Sequence, residues 1–158
     1  MNIYEYAKGM ELDGKSLYEQ ELQRSDSPAI RSILQMLIKQ EQKHYEILDA
    51  LEAHKKDAEV RGTSFEGTKN LFQQMRAEGV QLPDDDIALY ERVLDIERRS
   101  EEFYRKHAEA QASPVREQLV QLAKEEHRHA IIIEQMLTLL RRPDQWVEDA
   151  EFNEIEDY

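Results

Sequence analysis

The sequence predicts an all-α protein made of two helical hairpins joined by a long crossover, and three observations carry that reading. Apolar residues recur at helical spacing through four long segments. Five glycines and four prolines in 158 residues leave those segments almost uninterrupted, and 40% hydrophobic with 35% charged residues suits long amphipathic helices. The third and fourth segments also repeat the first and second. Residues 3–28 and 89–114 align without a gap at an offset of 86, so that Ile3, Tyr4, Glu5, Ala7, Met10, Glu11, Leu17, Tyr18, Ser27 and Pro28 meet Leu89, Tyr90, Glu91, Val93, Ile96, Glu97, Phe103, Tyr104, Ser113 and Pro114. Beyond the Ser-Pro pair the offset becomes 85, and Glu41-Gln-Lys-His44 falls on Glu126-His-Arg-His129.

The first segment, residues 2–24, steps through Ile3, Ala7, Met10, Gly14 and Leu17, with Tyr4, Glu11 and Tyr18 alongside. The second, 28–55, places Ile30, Leu34, Leu37, Glu41, His44, Leu48 and Leu51 on one stripe. Ser27-Pro28 reads as an N-cap followed by the first helical position, and Ser113-Pro114 reads the same way. Residues 56–83 hold Gly62, Gly67, Gly79 and Pro83, and within them Phe65–Ala77 has one apolar side (Leu71, Phe72, Met75), enough for a short helix. So long a connection suits a crossover from one end of a bundle to the other. The third segment, 84–111, opens with Asp84–Asp86 as N-terminal acids and carries Tyr90, Val93, Glu97, Ser100, Tyr104 and His107 on its stripe. The fourth, 114–141, runs Val115, Leu119, Leu122, Glu126, His129, Ile133, Met136 and Leu140. Residues 1–142 are thus expected to form one domain. The tail 143–158, with seven acids and no base after Pro143, reads as a strap on the bundle or on a second copy, or as a solvated acidic segment.

The bulk properties exclude several functions. A formal net charge of −13 repels the phosphate backbone and argues against a nucleic-acid partner. The longest strictly apolar run, Ala130–Ile133, is too short to span a bilayer, and no secretory signal pattern is visible, so a soluble cytoplasmic protein is the expectation. With no cysteine there is no thiolate site or redox thiol.

Glutamate and histidine three residues apart lie on one helix face, so one ion can meet both side chains. A single Glu-His pair on a core stripe reads equally well as a structural hydrogen bond. Two copies, each preceded by another glutamate on a core stripe, are hard to explain as packing. Four carboxylates (Glu11, Glu41, Glu97, Glu126) and two imidazoles (His44, His129) are what a carboxylate-bridged pair of metal ions needs, and two divalent ions would neutralise the four acids.

This pattern, Glu11…Glu41-x-x-His44…Glu97…Glu126-x-x-His129, resembles the ferritin-like di-iron family, most closely its rubrerythrin branch, over residues 2–141. The resemblance implies a ferritin-like antiparallel four-helix bundle with one long crossover. It implies Glu11 and Glu97 as terminal carboxylates, Glu41 and Glu126 as bridges, and His44 and His129 as caps on one ion each. Two features depart from the branch. Rubrerythrins usually carry a further glutamate three residues after the third-helix ligand, and Ser100 stands there. Glu101, one residue on, should point away. The six-ligand set looks more like the ferroxidase centre of bacterioferritins. The four-cysteine electron-transfer domain of many rubrerythrins also has no counterpart in this cysteine-free chain.

Tyr18 and Tyr104 follow Glu11 and Glu97 by seven residues, two turns along the same faces. They read as hydrogen-bond partners of the bridging carboxylates or as one-electron participants, with ordinary buried tyrosines as the alternative. His54 and His127 read as surface residues and His107 as peripheral. Oxygen-rich sites with one imidazole per ion suit two Fe ions, with Mn or Zn as possible occupants. The expected activity is that of a rubrerythrin-like di-iron oxidoreductase reducing hydrogen peroxide or dioxygen with an external donor (rubredoxin-like or flavoprotein), in a homodimer. The alternatives are a ferroxidase or iron-handling protein, and a non-catalytic metal-stabilised helical module.

Overall fold

A computed structural model describes residues 2–53 and 67–141. All regular structure among them is helical: α1 (Ile3–Arg24), α2 (Pro28–Glu52), α3 (Thr68–Glu78), α4 (Asp84–Glu109) and α5 (Val115–Arg141). His54 and the tail 143–158 lie outside the described residues.

Local chemistry sets the helix ends. The Asn2 side chain accepts from the Glu5 amide at 2.8 Å and starts α1. Ser27 accepts from the Ile30 amide at 3.1 Å, with Pro28 as the first residue of α2. Gly67 (φ +84°) and Gly79 (φ +63°) flank α3 in the left-handed region that favours glycine. The second hairpin departs from the expectation at Ser113-Pro114. That peptide is cis, α5 begins one residue later at Val115, and the Ser113 hydroxyl donates to Glu117 Oε1 at 2.5 Å instead of accepting from a backbone amide.

Both hairpin turns are closed by a repeated arginine. In the first, Arg31 Nη1 donates to the carbonyls of Leu22 (2.5 Å) and Ser25 (3.2 Å). In the second, Arg116 donates to the carbonyls of Ala108 (3.3 Å) and Glu109 (3.2 Å). Each guanidinium satisfies carbonyls at the end of the preceding helix that have no intrahelical donor.

Packing follows the stripes. α1 lies along α2 and α4 along α5, while α1 also meets α4 and α2 meets α5. Side-chain pairs show that these neighbours run antiparallel: Lys8 with Asp49 and Lys15 with Gln42 for α1 and α2, Tyr18 with Glu97 and Tyr104 with Glu11 for α1 and α4. The short α3 buries Phe72 and Met75 beside α2, which gives the 56–83 connection its own packed element.

The apolar core is split in two. One cluster includes Leu17, Tyr18, Ile30, Leu34, Leu37, Tyr90, Val93 and Met136, and the other includes Ala7, Leu48, Leu51, Tyr104, Leu119 and Leu122. Between them lies a layer of buried glutamates and histidines. No helix among the described residues is long and apolar enough to cross a membrane.

Candidate metal centre

Each of the four long helices gives up apolar places to this layer. α1 supplies Glu11, α4 supplies Glu97, α2 supplies Glu41 and His44, and α5 supplies Glu126 and His129. All six are at most 3% exposed. They form two groups whose ligand atoms lie within 4.8 Å of one another: Glu11, Glu41, His44 and Glu126 in one, Glu41, Glu97, Glu126 and His129 in the other. Glu41 and Glu126 belong to both. The six residues singled out in the sequence are therefore brought together, and the two shared by both groups are the ones the resemblance makes bridges.

The imidazoles present the same atom inward. His44 Nδ1 is 3.0 Å from Glu126 Oε1 and 3.4 Å from Glu11 Oε2. His129 Nδ1 is 2.8 Å from Glu41 Oε1, 3.4 Å from Glu126 Oε2 and 3.5 Å from Glu97 Oε2. The two rings face each other, with centroids 5.5 Å apart and planes within 18°.

The outward nitrogens are held by residues that sequence reasoning missed. His44 Nε2 bonds Glu125, and His129 Nε2 lies 2.5 Å from Gln40 Oε1. Gln40 and Glu125 directly precede the shared glutamates, and each reaches across to the histidine of the other hairpin. Their signal in the sequence was their match at the offset of 85.

The tyrosine hydroxyls do not meet the shared glutamates, contrary to the sequence expectation. Tyr104 donates to Glu11 Oε1 at 2.5 Å, and Tyr18 donates to Glu97 Oε1. Antiparallel packing of α1 on α4 causes this, because a tyrosine two turns past one glutamate comes level with the glutamate of the opposite helix. Glu101 points away as expected, pairing with His127 Nδ1 at 3.1 Å and Arg105 at 2.9 Å. His127 is thereby a half-buried partner of Glu101. His107 packs on Phe103, with centroids 4.3 Å apart, and is in neither group.

Without an ion the layer is electrostatically unequal. Burial and the charges of Glu97 and Glu11 push the Glu41 carboxyl well above the usual carboxylate range. Burial and the charges of Glu11, Glu41 and Glu97 do the same to Glu126. Burial also works to raise Glu11 and Glu97, yet both end below the ordinary value because His44 holds Glu11 ionised and Glu126 and His129 hold Glu97. Burial disfavours the imidazolium forms, but Glu11 and Glu126 raise His44 well above its usual range, and Glu97 and Glu126 push His129 up to about 9. Four carboxylates this close cannot all ionise, so protons do part of the neutralising.

An imidazole Nδ1 approaches Glu11 Oε2, Glu41 Oε1 and Glu126 Oε2 at 2.8–3.4 Å, yet none of these oxygens has a well-directed hydrogen bond among the described residues. A buried carboxylate oxygen so poorly satisfied costs free energy that a coordinated cation recovers. Acceptor-rich carboxylates plus an inward imidazole in each group form a donor set that can hold a metal ion, and the sharing of two carboxylates accommodates a pair.

Comparison with family models, curated proteins and solved structures found no match.

One further contact shapes the site. A Cβ added at Gly14 would lie 3.2 Å from Glu41 Oε2 and 4.0 Å from Ile96 Cγ2. Glycine in this ordinary stretch of helix lets Glu41 lie against the α1 backbone, and a side chain there would require the Glu41 carboxylate to give way by a few tenths of an ångström. Its repeat partner, Ser100, is also small and places Oγ 3.8 Å from Met10 Sδ. Outside Met10 and Ile96 lies a groove of about 300 Å³ between α1 and α4, lined also by Glu5, Tyr6, Gly9, Asp13 and Arg99.

Proposed function

We propose that the chain is a ferritin-like, rubrerythrin-like non-haem di-iron oxidoreductase that reduces hydrogen peroxide or dioxygen with electrons from an external donor. The observation carrying this reading is the pair of buried Glu/His groups that share Glu41 and Glu126. The ring of antiparallel neighbours, α1 with α2 and α4, α5 with α4 and α2, is what the ferritin-like resemblance implies.

In this reading Glu11 and His44 would hold one iron and Glu97 and His129 the other, with Glu41 and Glu126 shared between them. Such a pair would supply two electrons together, which with two protons from solvent suits the reduction of peroxide to two waters without release of a radical. The protein provides the surroundings. Tyr104 and Tyr18 fix Glu11 and Glu97, and their hydroxyls stay protonated because burial and the adjacent Glu11 and Glu97 charges raise them well above the ordinary phenol range. The two apolar clusters keep bulk water from the layer. A small oxidant would enter from the groove over Met10 and Ile96 between α1 and α4. Electrons return from a rubredoxin-like or flavoprotein donor, and the working form is a homodimer.

The test is anaerobic loading with ferrous iron followed by peroxide. Rapid growth of di-ferric absorbance, repeated on addition of reductant, is expected; oxidation no faster than in a protein-free control would remove the reading.

A second reading is favoured by Glu101, which is committed to His127 and Arg105 and leaves Ser100 where a seventh ligand would stand. The six-ligand set then serves a bacterioferritin-like ferroxidase whose substrate is ferrous iron itself. Iron storage needs a closed shell of many subunits, so a dimer in solution counts against it. If metal binds but neither peroxide, oxygen nor iron turns over, the centre is a structural clasp in a non-catalytic helical module.

A further inference from the structure

The two halves of the layer are matched in the six candidate ligands and the two tyrosines, and they differ behind the imidazoles. Glu11 corresponds to Glu97, Glu41 to Glu126, His44 to His129, and Tyr18 to Tyr104. Behind the imidazoles the match fails: Glu125 is fully buried against His44, and Gln40, 5% exposed, lies against His129. The two occupy equivalent repeat positions and make equivalent cross-hairpin contacts. One is an acid and the other its neutral amide.

We propose that Glu125 makes the two metal positions unequal, so that the ion beside His44 binds first and more tightly than the ion beside His129. This inference rests on the di-metal reading given above. With Nδ1 turned toward the ion, each Nε2 carries the hydrogen and must donate it outward. His129 donates to the amide carbonyl of Gln40, an ordinary neutral acceptor. His44 donates to a carboxylate, and such charge-assisted bonds are roughly twice as strong as neutral ones. The carboxylate draws on the N–H bond and makes Nδ1 a better donor to the ion. Both Glu125 and His44 are fully buried, so bulk water does not compete for that bond.

The order of loading follows. The first ion would be held by Glu11 and His44 with Glu41 and Glu126, and the second would add Glu97 and His129. The sequence repeat alone would give two equivalent positions, and the Glu/Gln exchange removes that equivalence.

Anaerobic titration with Co(II), followed by visible absorbance and by competition with a chelating indicator, tests the proposal. Two steps are expected for the natural protein, separated by about tenfold or more, the usual scale for losing an outer partner of a ligating histidine. Glu125→Gln should merge the steps by weakening the tighter one, and Gln40→Glu should merge them by strengthening the weaker one. Should Glu125→Gln fold poorly, the Gln40→Glu result decides alone. A crystal grown with one equivalent of Co(II) should show its anomalous peak beside His44. Equal steps in the natural protein, two steps unchanged in a folded variant, or a first ion beside His129 would each overturn the inference while leaving the di-metal reading intact. No Co(II) binding would overturn both.

Discussion

The Tyr104 hydroxyl on α4 donates to Glu11 Oε1 on α1 at 2.5 Å, and both groups are buried between the helices. Tyr18 and Glu97 repeat the bond with the helices exchanged. Each hairpin thus orients a carboxylate of the other, and the layer depends on the two hairpins docking in register.

Tyr104→Phe removes this donor without changing the packing volume. The Glu11 carboxylate then loses a buried hydrogen bond, for which a loss of about 1–3 kcal/mol is expected. Metal affinity should fall by about tenfold or more, because Glu11 is less well oriented. Thermal unfolding and metal competition measure the two effects. An unchanged affinity would show that the hydroxyl serves packing alone.

Gly14→Ala and Gly9→Ala form a matched pair. Alanine at either position favours the helix, by about 0.5–1 kcal/mol over glycine. A methyl at Gly9 meets nothing within 4 Å, so that variant should gain stability and keep its metal affinity. A methyl at Gly14 would press on Glu41 Oε2 at 3.2 Å and displace a shared carboxylate. Metal affinity should drop in this variant only, and equal affinities in the two would remove the role given to Gly14.

Metal-free and metal-loaded protein should respond oppositely to pH. Glu41, Glu126, His44 and His129 all have raised proton affinities in the folded chain. A folded state that binds more protons than the unfolded chain loses stability as pH rises. For His129 the contribution is fully present below about pH 6.5, its unfolded value, and is lost as pH rises through about 9. Glu11 and Glu97 act in the opposite sense, with stability lost as pH falls through their lowered values, outside this window. Metal must displace the protons, so its affinity rises over the range in which the metal-free form weakens. Melting temperatures with and without metal, taken between about pH 6.5 and about 9, should diverge as pH increases. A metal-induced shift that stays flat or shrinks would contradict the protonation pattern.

Glu101→Gln separates six ligands from seven. The carboxylate is held by His127 and Arg105, away from the layer. Metal content should be unchanged in this variant and lost in Glu126→Ala, as measured by elemental analysis after dialysis. Loss of an ion from Glu101→Gln would show that Glu101 swings inward on loading.

How much of this was legible in the sequence depends on the kind of residue. Helices and inward stripes were readable because periodicity is local, and Glu41-x-x-His44 and Glu126-x-x-His129 were readable because three residues fix two side chains on one face. The partners of Tyr18 and Tyr104 were not, since they depend on how α1 lies along α4, and spacing within one helix cannot supply that. Gln40 and Glu125 escaped for the same reason. Off the apolar stripe each looks like a surface residue, and only the close approach of α2 to α5 buries it against the opposite histidine. The start of α5 differs by one residue from the expectation because Ser-Pro has the same letters in both hairpins, whereas the Ser113 hydroxyl bonds Glu117 and the Ser27 hydroxyl caps a backbone amide.

The central claim is that the Glu/His layer holds two metal ions. Crystals of protein loaded anaerobically with ferrous iron, measured at the iron absorption edge, test it most directly. Two anomalous peaks are expected, one within bonding reach of His44 Nδ1 and Glu11, the other of His129 Nδ1 and Glu97, with Glu41 and Glu126 between them. No peak in the layer, or a single ion at full loading, would contradict it.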